Sequence, residues 1–537
     1  MRIRQRLPRS QLIDGTGVLV HPGWLLLGLC LAAAAKAIEP PFELFYPPTA
    51  APFGAGWSLA RYIASGWAVI LVLFMLAGGI LGDIYGRRRM LLWGLALMLL
   101  ANVLLLFSPG TLWHVLWRIL AHISAGVVLP LTLAPIYIFF EGRQRAIAFA
   151  IYLSTTALAS LLSIYQGRFI VQYLDWHAVY LIPSLLTVVA FVSVRRSLPE
   201  SRAADPRLMD AILYSGWTIL ILGVIFGIFE LSLVRHWVTS VAVIMGFALA
   251  AGLGLIFWWR RVTRGDPLRT TSIHTRHITL LLLCGVILQI ALFGFNSLTY
   301  SYYRVGLNLG FLQTLLKMSP MLFGMLTVIY LVARHWAKQQ VRLILAIGFF
   351  LIVMSITSMA LFARMPYWMQ IFPLVVFGLS IIGTKTIWTN AFFQILIDRY
   401  IGLNAGMNSA ALIVGSALGG VLSTELLARF GQSAFVRQST SLTLSEAELI
   451  SIFKNITAAI IAKEEAGIKD LALAISDELY ASYQQAYITG YAAAIMVIAV
   501  ICLLTALLIF LGIRASLKYS PTDTPLNEDF TDLPAVP

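Results

Sequence analysis

"GGILGDIYGRRRM", Gly78 to Met90, places one acid and three consecutive arginines between two long apolar runs, in a frame of glycines. Arginines at the end of an apolar run mark the side of a membrane on which a loop stays. They leave the acid and the glycines unexplained. Gly86 permits a tight turn. Gly78 and Gly82 are four apart, which allows close helix contact. Asp83 falls at the carboxyl end of a helix, where the helix's own dipole disfavours an anion, so it requires partners. Arg87 is close in sequence, and the amino end of another helix in the bundle is a second candidate. Together these residues predict a latch at one end of a helical bundle, able to hold or release.

The flanking runs belong to a membrane protein. The chain has 537 residues, of which 59% are hydrophobic and 12% charged, with a mean hydropathy of +0.85. A soluble domain is about a quarter charged. The net charge of +14 lies in short clusters between apolar segments, which sets topology and needs no nucleic-acid partner. Cys30, Cys284 and Cys502 sit inside apolar runs, too few for a disulfide framework. No cleaved leader is expected from the N-terminal arginines and the long span after them.

A helix needs about 20 apolar residues to cross about 30 Å of hydrocarbon. Fourteen segments qualify, at about 21–47, 62–82, 89–108, 111–138, 146–170, 177–195, 209–230, 237–258, 277–299, 311–333, 341–363, 367–393, 405–427 and 487–513. In the first, "AIEPPFELFYPP" with Pro40 and Pro41 reads as a kinked or unwound outer half, and Pro130 as a kink in the fourth.

Arginines and lysines concentrate in alternate loops, around 87–89, 143–145, 195–207, 260–276, 334–342 and 399, and beside both termini. The intervening short loops carry one or none. This asymmetry predicts both termini in the cytoplasm, which requires an even number of spans. Residues 1–20 then form a cytoplasmic N-terminus, and the acidic, proline-rich 514–537 a disordered cytoplasmic tail. Residues 428–486 lie outside. There "SEAE" at 445–448 fits a capping box, followed by Leu449, Ile452, Phe453, Ile456 and Ile460 at helical spacing. That is an amphipathic helix, expected to be a surface-lying connector, with packing over the protein's mouth as the alternative.

The opening stretch resembles the loop signature of the major facilitator superfamily, with Gly79, Leu81, Asp83, Gly86, Arg87 and Arg88 at its positions between spans two and three. The resemblance covers nearly the whole chain. Fourteen spans narrow it to the drug:proton antiporter branch. It implies an all-α fold of two six-helix halves, 21–195 and 277–513, joined by two extra helices in 209–258. The halves should be related by an axis along the membrane normal. Glu39 and Pro48 fit the branch's span-one spacing of acid and proline. Arg118 and Pro130 fit span four, with Ala121 and His122 in place of the usual Gln and Gly. In span five "SIYQGR", Ser163 to Arg168, keeps only Gly167 of the glycine-proline signature associated with antiport.

Lys36, Glu39, Arg118, Lys317 and Lys385 fall within spans. Four unpaired cations would cost roughly 10 kcal/mol at mid-bilayer, so they must pair, snorkel or line a wet cavity. Glu39 and Arg118 both fall in the outer third of their spans, and Lys36 is three residues from Glu39. The expectation is a Glu39–Arg118 pair with Lys36 alongside, lining the substrate cavity and either coupling to protons or standing as a static pair. Lys317 and Lys385 are possible cavity cations, each within about two turns of an interface and expected to snorkel. His114 and His122 read as packing or polar contacts.

The functional expectation is a secondary transporter working by alternating access, exporting drug-like or amphiphilic compounds in exchange for protons. The alternative is a lipid or organic-anion carrier without proton antiport. A membrane-embedded enzyme is the third reading, and no zinc-protease His pair, phosphate-binding glycine loop or nucleophile constellation favours it. No cofactor or metal is expected. The partners are a small-molecule substrate, protons, the lipid bilayer and, for a bacterial cytoplasmic membrane, a periplasmic adaptor. Excess intramembrane cations point to an anionic or zwitterionic amphiphile, because protonating Glu39 would free Lys36 and Arg118 to bind a carboxylate or phosphate.

Overall fold

A computed structural model describes residues 12–13, 19–20, 22–39, 57–109, 111–174, 176–203, 215–216, 218–220, 223, 275–335, 341–395, 400–439, 445–462 and 477–512. Near the N-terminus, β1 (Leu12–Ile13) and β2 (Leu19–Val20) make a two-residue antiparallel pairing, Leu12 opposite Val20. The first six-helix half holds α1 (Pro22–Ala37), α2 (Trp57–Tyr85), α3 (Arg87–Leu106), α4 (Thr111–Phe139), α5 (Gly142–Tyr173) and α6 (Leu181–Ser197). The second holds α7 (Thr275–Ser301), α8 (Phe311–His335), α9 (Val341–Leu361), α10 (Tyr367–Ile395), α11 (Ile401–Gln438) and α13 (Asp477–Gly512), with α12 (Glu446–Ala462) between the last two. These twelve bundle helices match twelve of the expected spans. The other two, in 209–258, lie outside the described residues but for a few positions, as do Pro40, Pro41, Pro48 and the tail 514–537.

The chain is a multi-pass membrane protein. Ten of the helices are long and apolar enough to cross a bilayer, and α1 and the second half of α2 are shorter apolar helices. Large apolar side chains also face outward, among them Trp93, Leu185, Phe323 and Phe372, a surface suited to lipid.

Small residues set the packing. A Cβ on Gly78 would come within 2.7 Å of Val127 Cα, and one on Gly126 within 2.5 Å of Phe74 Cβ, so α2 and α4 touch almost backbone to backbone. In the second half, α8 and α10 cross the same way. A Cβ on Gly324 would sit 2.0 Å from the Val375 carbonyl, and one on Gly378 2.0 Å from that of Met321. The two halves thus use one device at corresponding helices. They meet along α2–α11 and along α5–α8, where Ser154 Oγ donates to the Met325 carbonyl at 3.2 Å.

Helix α1 ends at Ala37 and the backbone leaves the helix at Ile38 and Glu39, where the kinked or unwound half was expected to begin; residues 40–47 of that half lie outside the described residues. A residue before proline avoids the helical region, and Glu39 precedes Pro40. The structure corrects two other expectations. First, α11 and α13 continue into the segment assigned to the outer connector, reaching Gln438 and starting at Asp477. The polar residues there interrupt hydropathy but not helical periodicity, and Phe435, Tyr483 and Tyr487 are buried. Second, α12 is not a surface-lying connector. Leu449, Phe453 and Ile456 are buried, and the Phe453 ring lies 5.0 Å from that of Tyr483 and 5.7 Å from that of Phe435. It packs on the extensions of α11 and α13 because its apolar stripe meets their aromatic one.

Candidate functional site

One cluster forms where α1 unwinds, at the end of the bundle expected to face outward. The Glu39 carboxylate is buried, and both cations reach it: Arg118 Nη1 donates to Oε1 and Lys36 Nζ to Oε2. Arg118 Nη1 also donates to Tyr180 Oη at 3.1 Å. Tyr180 Oη lies 3.4 Å from His114 Nε2, and His114 Nδ1 lies 3.4 Å from Ser108 Oγ. His122 Nδ1 lies 2.7 Å from the Arg118 carbonyl. A carbonyl only accepts, so that nitrogen carries the proton. The carbonyl of Ile38, freed by the unwinding, accepts from Gln166 Nε2 at 3.1 Å. Glu39, Lys36 and Arg118 are therefore brought together, and α4 runs through Pro130 and Pro135 without a break.

The latch residues form a second cluster at the opposite end of the bundle. Asp83 is buried and accepts four hydrogen bonds. Arg87 donates to Oδ1 through Nε at 3.0 Å and Nη2 at 2.7 Å. The backbone N–H groups of Gly402 and Leu403, in the first turn of α11, donate to Oδ1 at 2.9 Å and Oδ2 at 3.0 Å. Both candidate partners of Asp83 are thus in place at once. Helix α11 has no side-chain cap of its own at Tyr400, and Asp83 fills that role from the other half. Contact is close because both partners are glycine. A Cβ on Gly79 would lie 2.3 Å from the Gly402 carbonyl, and one on Gly402 2.4 Å from that of Gly79. This end of the cleft between the halves is closed.

Gly86 turns the chain with φ of +106°, a conformation open to glycine. Arg88 Nη2 donates to the Arg195 carbonyl at 2.7 Å, so Arg88 holds α3 to α6 within one half and does not bridge the two.

The other intramembrane cations diverge. Lys317 is half-buried, its ammonium 4.6 Å from the ring centre of Tyr367 at the amino end of α10. Lys385 does not snorkel as expected. It is buried, and its Nζ donates to Gln289 Oε1 at 3.0 Å. The reason is depth: it lies ten residues, about 15 Å, from the nearer end of α10.

Sequence reading missed several of these partners. The Glu200 carboxylate accepts from the backbone N–H groups of Arg88, Arg89 and Ser201 at 3.0–3.1 Å. It caps α3 from 112 positions away. An acid just after Pro199 in the basic loop 195–207 was the available signal. Tyr180, Gln166 and Gln289 gave none, since each is an ordinary residue until the fold supplies its neighbour. Among the described residues no group of three or more His, Cys, Asp or Glu is arranged to hold a metal.

Comparison with known proteins agrees with this architecture. A family model described as Major Facilitator Superfamily matches residues 25–424. The "Multidrug efflux pump LfrA" of Mycolicibacterium smegmatis is 26% identical over 59% of this chain and 62% of its own length. The "Probable actinorhodin transporter" of Streptomyces coelicolor is 27% identical over 40% of this chain and 39% of its own. The chain thus spans less than two thirds of either relative. Among solved structures, the human organic anion transporter MFSD10 (TETRAN) superposes with a TM-score of 0.56 at 14% identity, covering 91% of this chain and 98% of that one.

Proposed function

Since the chain belongs to the Major Facilitator Superfamily, we propose that it is a secondary transporter of the bacterial cytoplasmic membrane, both termini inside, that expels small amphiphilic compounds in exchange for protons. The observation that carries this reading is Glu39, one carboxylate buried between two cations where α1 unwinds. Ionised, Glu39 ties the end of α1 to α4. Protonated, it releases Arg118 and Lys36, and a buried cation without its partner is costly. Proton occupancy therefore biases the outer end, while Asp83 holds the opposite one. The substrate passes as the halves alternate about α2–α11 and α5–α8. The similarity to a multidrug efflux pump of Mycolicibacterium smegmatis supports export.

A second reading is an organic-anion carrier moving its substrate together with protons. The excess of cations, the buried Arg118 and Lys385 and the part-buried Lys36, over Glu39 favours it. Here protonating Glu39 frees cations for the anion.

Reconstituted vesicles with an imposed pH gradient separate the two. For antiport, a gradient acidic on the outer side drives substrate toward that side, and reversing the gradient reverses the flux. For symport, the signs are opposite. Glu39→Gln is expected to lose gradient-driven flux while retaining substrate counterflow. Wild-type flux indifferent to the pH gradient would reject proton coupling in both forms.

A further inference from the structure

The buried cations of the spans do not end alike. Arg87 faces Asp83, and Lys36 and Arg118 face Glu39. Lys385 faces a neutral amide. Its Nζ donates to Gln289 Oε1 at 3.0 Å, Gln289 Nε2 donates to Ser416 Oγ at 3.0 Å, and Ser416 Oγ donates to the Leu412 carbonyl at 2.9 Å. The relay joins α10, α7 and α11.

Its direction is fixed from the far end. A carbonyl only accepts, so Ser416 spends its single proton there and must accept from Gln289. The amide nitrogen therefore faces Ser416 and the amide oxygen faces Lys385. An acceptor aimed at Nζ favours the ammonium, the stronger donor, yet brings no formal charge. Of the three ammonium hydrogens, Gln289 receives one. One turn along the same face of α10, the Thr389 hydroxyl is buried with no partner among the described residues. Its neighbours differ. Ser380, Thr384 and Thr386 donate to the carbonyls of Phe377, Ser380 and Ile382 on their own helix. Among the described residues Lys385 meets no carboxylate, and a spare hydroxyl lies one turn away, so an oxyanion would satisfy both.

We propose that Lys385 and Thr389 form a subsite in the second half for one acidic group of the transported molecule, a carboxylate, sulfonate or phosphate. The proposal rests on the transporter reading. It moves the anion contact away from Arg118 and Lys36, which both already bind the Glu39 carboxylate, and leaves that cluster to protons. Ammonium and hydroxyl both donate to the oxyanion, and Gln289 fixes the lysine's direction without competing charge.

The test measures binding of naphthalene-1-sulfonate to the full chain in nanodiscs of zwitterionic lipid. Naphthalene-1-methanol and 1-naphthylmethyl-trimethylammonium serve as neutral and cationic counterparts. The sulfonate is expected to bind wild type about tenfold or more tighter than the alcohol, as a charge-assisted hydrogen bond requires. Lys385→Gln should erase that ratio and Lys385→Arg should keep it. Gln289→Glu should raise the unfolding midpoint, because it gives the ammonium an internal carboxylate, and should erase the ratio too. That variant decides the question if Lys385→Gln does not fold. A sulfonate preference surviving either Lys385→Gln or Gln289→Glu would overturn the subsite, as would a wild-type preference for the cation. Failure of the transporter reading looks different. Wild-type vesicles would show neither gradient-driven flux nor substrate counterflow, while a Lys385-dependent sulfonate preference persisted.

Discussion

Asp83 on α2 and Leu403 on α11 stand 320 positions apart in the chain, and a hydrogen bond of 3.0 Å joins them. It crosses from one half to the other, whereas the Asp83–Arg87 pair stays within the first. Opening this end breaks the former and leaves the latter intact. Capping by a carboxylate contributes about 0.5–2 kcal/mol, a strength suited to a contact that must be remade each cycle.

Asp83→Asn keeps one acceptor and loses the charge. We expect weaker closure, transport reduced several-fold and normal membrane insertion. Arg87→Ala should act in the same direction. Amide exchange over residues 401–407 reports the closure directly and should quicken in both variants. Wild-type transport in both would reduce the motif to a topology signal.

Gly402→Ala acts sterically. Its Cβ would meet the Gly79 carbonyl at 2.4 Å and Asp83 Oδ1 at 2.6 Å, so the halves must separate at that point. The expected result is a shift toward the state open at the latch end, with reagents from that side gaining access to cysteines placed between the halves. Unchanged access would mean that α2 and α11 reseat without cost.

The outer helix carries a pH dependence. Ser445 donates to Glu448 Oε2 through its backbone N–H at 2.8 Å and its hydroxyl at 2.7 Å, and these bonds hold the Glu448 carboxyl below the ordinary glutamate value. A depressed carboxylate adds stability above its unfolded value and loses it as pH falls through the folded one. The first turn of α12 should therefore fray as pH drops below the glutamate range, seen as faster amide exchange over 446–450. Glu448→Gln should show no such pH response.

Orientation is tested by labelling. A cysteine replacing the exposed Lys454 should react with an impermeant reagent in intact cells, and one replacing Ser516 should not. Reaction at position 516 would overturn the even span count.

The sequence was legible where physics is local or the cost is high. Apolar length marks the spans, the Ser445–Glu448 spacing marks a cap, and Asp83 demands partners by its place on a helix end. The buried charges announce that they need company without always naming it. Arg118 and Glu39 were placeable because their depths agree. Lys385 was misread because nothing in its own segment shows Gln289 or Ser416, which α7 and α11 supply. Likewise Glu200 and Tyr180 gain their roles only from tertiary neighbours. The spans flanking the connector were cut too short, because hydropathy falls where helical periodicity does not.

Helix α11 has 38 residues, about 57 Å at 1.5 Å per residue, nearly twice the hydrocarbon thickness. One end carries Gly402, and the other carries Phe435 under Phe453 of α12. A rod of that length behaves as a lever. Tilting it about its middle to lift Gly402 from Asp83 swings Phe435 the opposite way. A tilt of about 10° carries each tip about 5 Å at this length. Helix α12 rides on that arm, so the outer face of the protein registers whether the far side is shut.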